Sequence, residues 1–255
     1  MKLITGFFMA WGNFLTLPCP LKLWDSNLKN YMLGFLPSVG LIVGLIWGAL
    51  CILMMTLNVP FLVMAFLMTL VPFTVCGFLH LDGFMDCSDA ILSRRPLEDR
   101  QRILKDSHTG AFSVISVAFL LLGYYAFMSQ ALSMGVDFFS LCLIPVVSRG
   151  MSGMNVLLRK PMGTSQYAQG DGAGADSQKK KAVAIILVQL VIYCAAGLLL
   201  SADPLPVAIT IGATALAALI AIIYGKRQLG GMNGDIAGYG IVWGELIGVL
   251  AMALV

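Results

Sequence analysis

Charge is scarce in this sequence. Asp, Glu, Lys and Arg make up 11% of its 255 residues against 59% hydrophobic ones, whereas soluble domains carry roughly one-quarter charged residues. That shortage excludes an ordinary soluble domain. The net charge of +3 is too slight for a nucleic-acid surface, so no nucleic-acid partner is expected. Histidine is limited to two residues, and the six cysteines, Cys19, Cys51, Cys76, Cys87, Cys142 and Cys194, form no CxxC pair. Neither a zinc site nor a disulfide framework is therefore expected, and the cysteines read as small packing residues. The apolar N-terminus is followed by no small-residue cleavage site, which argues against a signal peptide.

Long apolar runs are what the sequence does have, with a mean hydropathy of +0.89. Runs meeting the ~20-residue bilayer criterion lie near 35–57, 59–80, 111–133, 137–158, 182–200, 204–223 and 236–255. The expected fold is an all-α integral membrane protein, a bundle of about seven transmembrane helices in one polytopic domain over residues 1–255. An N-terminal amphipathic or re-entrant helix precedes it, in which Leu3, Ile4, Phe7, Phe8, Trp11, Phe14 and Leu15 repeat at helical spacing, with Pro18 and Pro20 ending it. The polar stretch QGDGAGADSQKKK, 169–181, reads as a flexible loop whose lysines are membrane-surface charge.

The loops test the span count independently, because Lys and Arg prefer the cytoplasmic side. Lys22 and Lys29 precede the first run; Arg94, Arg95, Arg100, Arg102 and Lys105 follow the second; Arg159, Lys160 and Lys179 to Lys181 follow the fourth; Lys226 and Arg227 follow the sixth. The turns near 58, 134–137 and 201–205 carry none. The alternation implies a multi-pass protein of the cytoplasmic (inner) membrane, with the functional loops on the cytoplasmic side.

The stretch HLDGFMDCSDA sets Asp82, Asp86 and Asp89 behind an apolar run, and on a helix these positions fall within roughly 60° of one another. An Asp at mid-membrane costs roughly 2.5 to 3.5 kcal/mol, so three facing lipid are untenable. Hard oxygen ligands without His or Cys favour magnesium; the plain alternative is a solvated helix end paired with Arg94 and Arg95. Pro96 can open a short helix bearing Arg100, Arg102 and Lys105, followed by Asp106 and His108 in KDSHTGAF. Carboxylates for metal, cations for phosphate and a proton carrier within about thirty residues suit a metal-chelated phosphate. His108 is a general-base candidate or a hydrogen-bonded loop residue, and His80 reads as interfacial. Arg149 is the only Lys or Arg inside a span, and Glu245 lies inside the last one; each is a functional candidate, and a structural partnership between them is the alternative. Asp235, after a glycine turn in GGMNGDIAGYG, either caps the last helix or joins a phosphate site.

HLDGFMDCSDA, DRQRILKDSHTGAF, SRGMSGM and GGMNGDIAGYG resemble, in that order, the signature segments of the cobalamin synthase family, the adenosylcobinamide-GDP ribazoletransferases, and FLTLPCP is similar to the family's opening. The chain departs from it at His108, Asn233 and Tyr239, where the family more often has arginine, threonine and alanine. The resemblance implies a magnesium-dependent membrane transferase joining adenosylcobinamide-GDP to alpha-ribazole or its 5'-phosphate, with GMP leaving. It implies Asp82, Asp86 and Asp89 as magnesium ligands, Asp106 or Asp235 completing the ligand set or orienting the nucleophile, and Arg102, Lys105 and Arg149 on phosphates. Homo-oligomerisation is left open. A CDP-alcohol phosphotransferase fits less well, because the Asp-Gly here is not followed by that family's Ala-Arg. A secondary transporter is the remaining alternative, with Arg149 and Glu245 marking its path.

Overall fold

Lipid offers no hydrogen-bond partner to a peptide group, and an α-helix satisfies its backbone within one segment. The computed structural model, which describes residues 1–163, 165 and 175–255, is helical accordingly. In chain order come α1 (Lys2–Phe14), a 3-10 turn (Ser26–Leu28), α2 (Lys29–Gly34), α3 (Leu36–Thr56), α4 (Phe61–Val75), α5 (Leu79–Leu92), α6 (Leu97–Ile103), α7 (Ala111–Met134), α8 (Phe138–Leu158), α9 (Ala175–Leu200), α10 (Pro204–Leu229) and α11 (Gly234–Leu254). Among the described residues, α3 and α7 to α11 are each long and apolar enough to cross a membrane, and the pair α4 and α5 gives a seventh span at most.

That pair corrects the expected second span. The run 59–80 is not one straight helix: Gly77 (φ +59°) and Phe78 (φ +60°) are both left-handed, which no right-handed helix accommodates, and α5 departs from α4 at 90°. We read α4 as the crossing and α5 as lying across one end of the bundle, off the spanning segments. Two other limits also move. The expected sixth span reaches Leu229, taking in Lys226 and Arg227, and stops where Gly230 (φ +82°) donates its N–H to the Lys226 carbonyl at 3.0 Å. α9 begins at Ala175, so 175–181 of the expected loop are helical; residues 169–174 lie outside the described residues.

α8 and α11 form the buried centre, while α7 and α9 are mostly exposed. On α3, Gly40, Gly44 and Gly48 face Pro145, Cys142 and Phe138 of α8, with no room for side chains between them; small residues four apart let membrane helices approach this closely. Buried between α8 and α11, Arg149 pairs with Glu245, at 0% and 2% exposure. Ser148 Oγ donates to Glu245 Oε1 at 3.2 Å. Arg149 Nη2 donates to Cys76 Sγ at 3.2 Å, so the pair also grips the end of α4.

α1 docks rather than floats. It buries Gly6, Met9, Ala10 and Phe14, with Gly6 tight against Tyr31 and Phe7 edge-on to Phe35 at 5.8 Å. Leu3 and Ile4 of the expected apolar stripe stay exposed on its outer side.

Candidate active site

The acidic stretch folds as α5, and the helical period sorts its residues as the spacing predicts. Phe84, Cys87, Ser88 and Ile91 are buried on one side, while Asp82 is exposed and Asp86 and Asp89 are half-buried on the other. Phe84 stacks on Tyr239 (5.6 Å, 14°) and meets Trp243 edge-on, fixing α5 to α11. Two glycines then set how closely the helix seats. A Cβ on Gly83 would stand 2.9 Å from the Asp235 Cα, and one on Gly110 would overlap the Asp89 carboxylate. Asp235 is thereby drawn to the Asp82 end of α5, and the loop before α7 to the Asp89 end.

Asp235 is not the cap of α11. Asn233 takes that task, its Oδ1 accepting from the Ile236 amide at 3.0 Å, and its Nδ2 donates to Asp235 Oδ2 at 2.6 Å. A bridge between Pro161 and Met232 holds the turn in place, with the Met162 amide donating to the Met232 carbonyl at 2.8 Å. Asp235 is therefore left to face the α5 carboxylates.

Among the described residues, no Lys, Arg or His stands within ion-pair distance of Asp82, Asp86, Asp89 or Asp235. The pairing with Arg94 and Arg95 that would make α5 an ordinary solvated helix end does not form. Burial, followed by the charges of Asp82, Asp235 and Asp89, pushes the Asp86 carboxyl up to about 6. Uncompensated all-oxygen donors of this kind fit a hard divalent cation such as magnesium. Among the described residues no three His, Cys, Asp or Glu side chains close to metal-ligand separations, so this is a clustered donor face and not a formed coordination shell.

Beside the face lies a cavity of about 220 Å³ where α1, α2, α3, α5, α8 and α11 meet. Asp82 and Asp235 border it together with Asn13, His80 and Ser152; Phe14, Leu33, Leu36, Val156 and Ile241 supply apolar wall. The Phe14 and His80 rings lie nearly parallel, 14° apart in plane and 6.4 Å between centroids.

The other expected residues fall in two places. α6 opens after Pro96 as the sequence predicts and is anchored to the end of α10, where Gln101 Nε2 donates to the Leu229 carbonyl at 2.8 Å and Arg100 bonds Gln228. Arg102 is exposed and pairs with Asp99 at 3.2 Å, and Lys105 is exposed as well. His108, whose side chain is 90% exposed, contacts Asp106 Oδ1 through Nδ1 at 2.6 Å. Hydrogen bonds from its amide and its ring hold the Asp106 carboxyl below the usual carboxylate range. Arg149 stands apart from these: its side chain is fully withdrawn, its guanidinium is taken by Glu245 and Cys76, and it does not border the cavity.

The chain matches the family model described as Cobalamin-5-phosphate synthase over residues 6–253. It belongs to that family. Relatives named adenosylcobinamide-GDP ribazoletransferase include one from Clostridium perfringens (strain SM101 / Type A), 38% identical over 97% of this chain and 96% of its own. One from Clostridium botulinum (strain Alaska E43 / Type E3) is 32% identical over 99% and 98%, and one from Geobacillus kaustophilus (strain HTA426) 27% over 95% and 92%. No solved structure matches the chain.

Both the acidic face and the cavity fall inside the stretch that matches the family. The sequence does not single out Asn13 and Ser152, which carry no charge, although Ser152 lies within SRGMSGM, and His80, which opens HLDGFMDCSDA, reads from the sequence as interfacial. Asn13 is exposed and interrupts the apolar pattern of α1.

Proposed function

We propose that this chain is a membrane adenosylcobinamide-GDP ribazoletransferase of the late cobalamin pathway, dependent on magnesium, with its site on the cytoplasmic side. The observation that carries the reading is the set of four neighbouring carboxylates without a cationic partner among the described residues, beside a cavity, in a chain of the Cobalamin-5-phosphate synthase family. Sidedness rests on the alternation of Lys and Arg between the loops.

In the reaction, a ribose hydroxyl oxygen of alpha-ribazole, or of its 5'-phosphate, forms a bond to the phosphorus borne by adenosylcobinamide. The bond from that phosphorus to the bridging oxygen breaks, and GMP departs with the electron pair. Asp82, Asp86 and Asp89 are assigned to hold magnesium. Magnesium held there would supply positive charge to the phosphate oxygens of the donor. Asp235, relieved of capping by Asn233, orients the attacking hydroxyl and accepts its proton. Asp106 is the poorer base, since the bonds from His108 stabilise its charged form. His108 stands out in solvent and serves to fix Asp106. Arg102 and Lys105, exposed on and just after α6, attract the donor's phosphates.

The test is GMP release from adenosylcobinamide-GDP by the purified protein in liposomes, with and without magnesium. Asp82→Asn and Asp86→Asn each lower kcat by roughly a hundredfold or more if they hold the ion. Turnover near wild type in either variant would remove that residue from the ligand set.

A further inference from the structure

We propose that the 220 Å³ cavity beside Asp82 and Asp235 is the acceptor subsite, and that it takes the ribose and base of a nucleoside whose base is an apolar fused aromatic system. This rests on the transferase reading above and adds where the acceptor sits and what selects it.

Size, charge and wall chemistry each support the assignment. A cavity smaller than the roughly 300–1,000 Å³ of sites for drug-sized ligands receives a bicyclic base with its sugar, but not a corrin macrocycle carrying amide side chains. Among the described residues, two carboxylates border the cavity and no Lys or Arg does. Carboxylates are acceptors only and match a sugar's hydroxyl donors, as an acidic residue does in reading a ribose 2'-hydroxyl. Gly83 lies against the Asp235 backbone, so Asp82 and Asp235 occupy one side of the cavity. The sugar belongs there, next to the acidic face.

The base then meets Phe14, Leu33, Leu36, Val156 and Ile241, with the nearly parallel Phe14 and His80 rings offering aromatic surface. Ser152 Oγ donates to the Ala237 carbonyl at 2.9 Å, which holds α8 to α11 at the cavity's edge.

Val156 is the lever, since it lines the cavity and makes none of the polar contacts. With alpha-ribazole as acceptor and adenosylcobinamide-GDP as donor, Val156→Phe raises KM for alpha-ribazole by about tenfold or more and leaves the donor KM unchanged. Val156→Ala shifts the kcat/KM ratio by about tenfold toward a riboside whose base carries a third fused ring, a gain that misfolding cannot produce. A rise confined to the donor KM in Val156→Phe, or an unchanged ratio in Val156→Ala, overturns the assignment. Equilibrium dialysis of radiolabelled alpha-ribazole against wild type and Val156→Phe, without donor, separates the two readings. Binding lost in the variant while wild type releases no GMP refutes the reaction and upholds the cavity; equal binding to both refutes the cavity.

Discussion

At the scale of the residue, single groups divide the work between chemistry and its support. Asp86 is the carboxylate most perturbed, squeezed by burial and by three like charges. Asp106 sits in the opposite situation, exposed and receiving two hydrogen bonds from His108. A depressed folded-state value contributes stability that is in place above the ordinary carboxylate range and is lost as pH falls through the lowered value. Carbon-13 titration of the Asp106 carboxyl should therefore give an acid-shifted midpoint. His108→Ala removes the ring bond and keeps the amide bond, so it should recover part of the shift; an unmoved midpoint would mean that the ring contributes nothing. His108 also shows the reach of a motif. The sequence placed it beside Asp106, and the structure keeps it there, but outside the cavity where a base for the acceptor hydroxyl would stand.

At the scale of the element, α5 is the part on which the site depends, and two devices hold it. One is the pair of close contacts at Gly83 and Gly110. Gly83→Ala should cost about 1–3 kcal/mol by overpacking and lower GMP release sharply, because Asp235 is pushed from the acidic face. Gly123→Ala on α7, where the nearest atoms are 3.9 Å from an added Cβ, is the control, and equal losses in both would show that the Gly83 contact is not special. The other device is the Arg149–Glu245 pair with its reach to Cys76 at the α4 terminus, next to the break that turns α5 by 90°. Removing one member leaves a buried charge alone, so Glu245→Gln should lose about 3–5 kcal/mol in detergent melts. Arg149→Met with Glu245→Leu should lose less than either single change. A double variant as unstable as the sum of the singles would contradict the pairing.

At the scale of the molecule, the cationic loops and the acidic face share one end of the bundle. α6 and the ends of α8 and α10 carry Arg and Lys there, whereas the far turns carry Asp137 and Asp203 as helix caps for α8 and α10. Seven crossings, with α4 supplying the second, are needed for this alternation. In a cysteine-free background, Arg95→Cys should react with a membrane-impermeant maleimide from the cytoplasmic side, and Gly135→Cys and Ser201→Cys from the other. Labelling of Arg95→Cys and Gly135→Cys from the same side would sink the seven-span topology.

The sequence by itself determined the class of fold, the spans nearly to the residue for α3, α7, α8 and α11, and the common face of Asp82, Asp86 and Asp89. Each of these follows from local periodicity and from the cost of placing polar groups in lipid. It equally exposed Asp106 and Asp235, which interrupt apolar or glycine-rich stretches. Only the tertiary structure decided that the run 59–80 breaks at Gly77 and Phe78, that Arg149 spends its charge on Glu245, that Asn233 caps α11 in place of Asp235, and that Asn13, His80 and Ser152 border the same cavity. Those outcomes depend on contacts between segments as far apart as α1 and α11. Helical period and hydropathy describe one segment against its solvent, and which segment replaces that solvent is settled by packing.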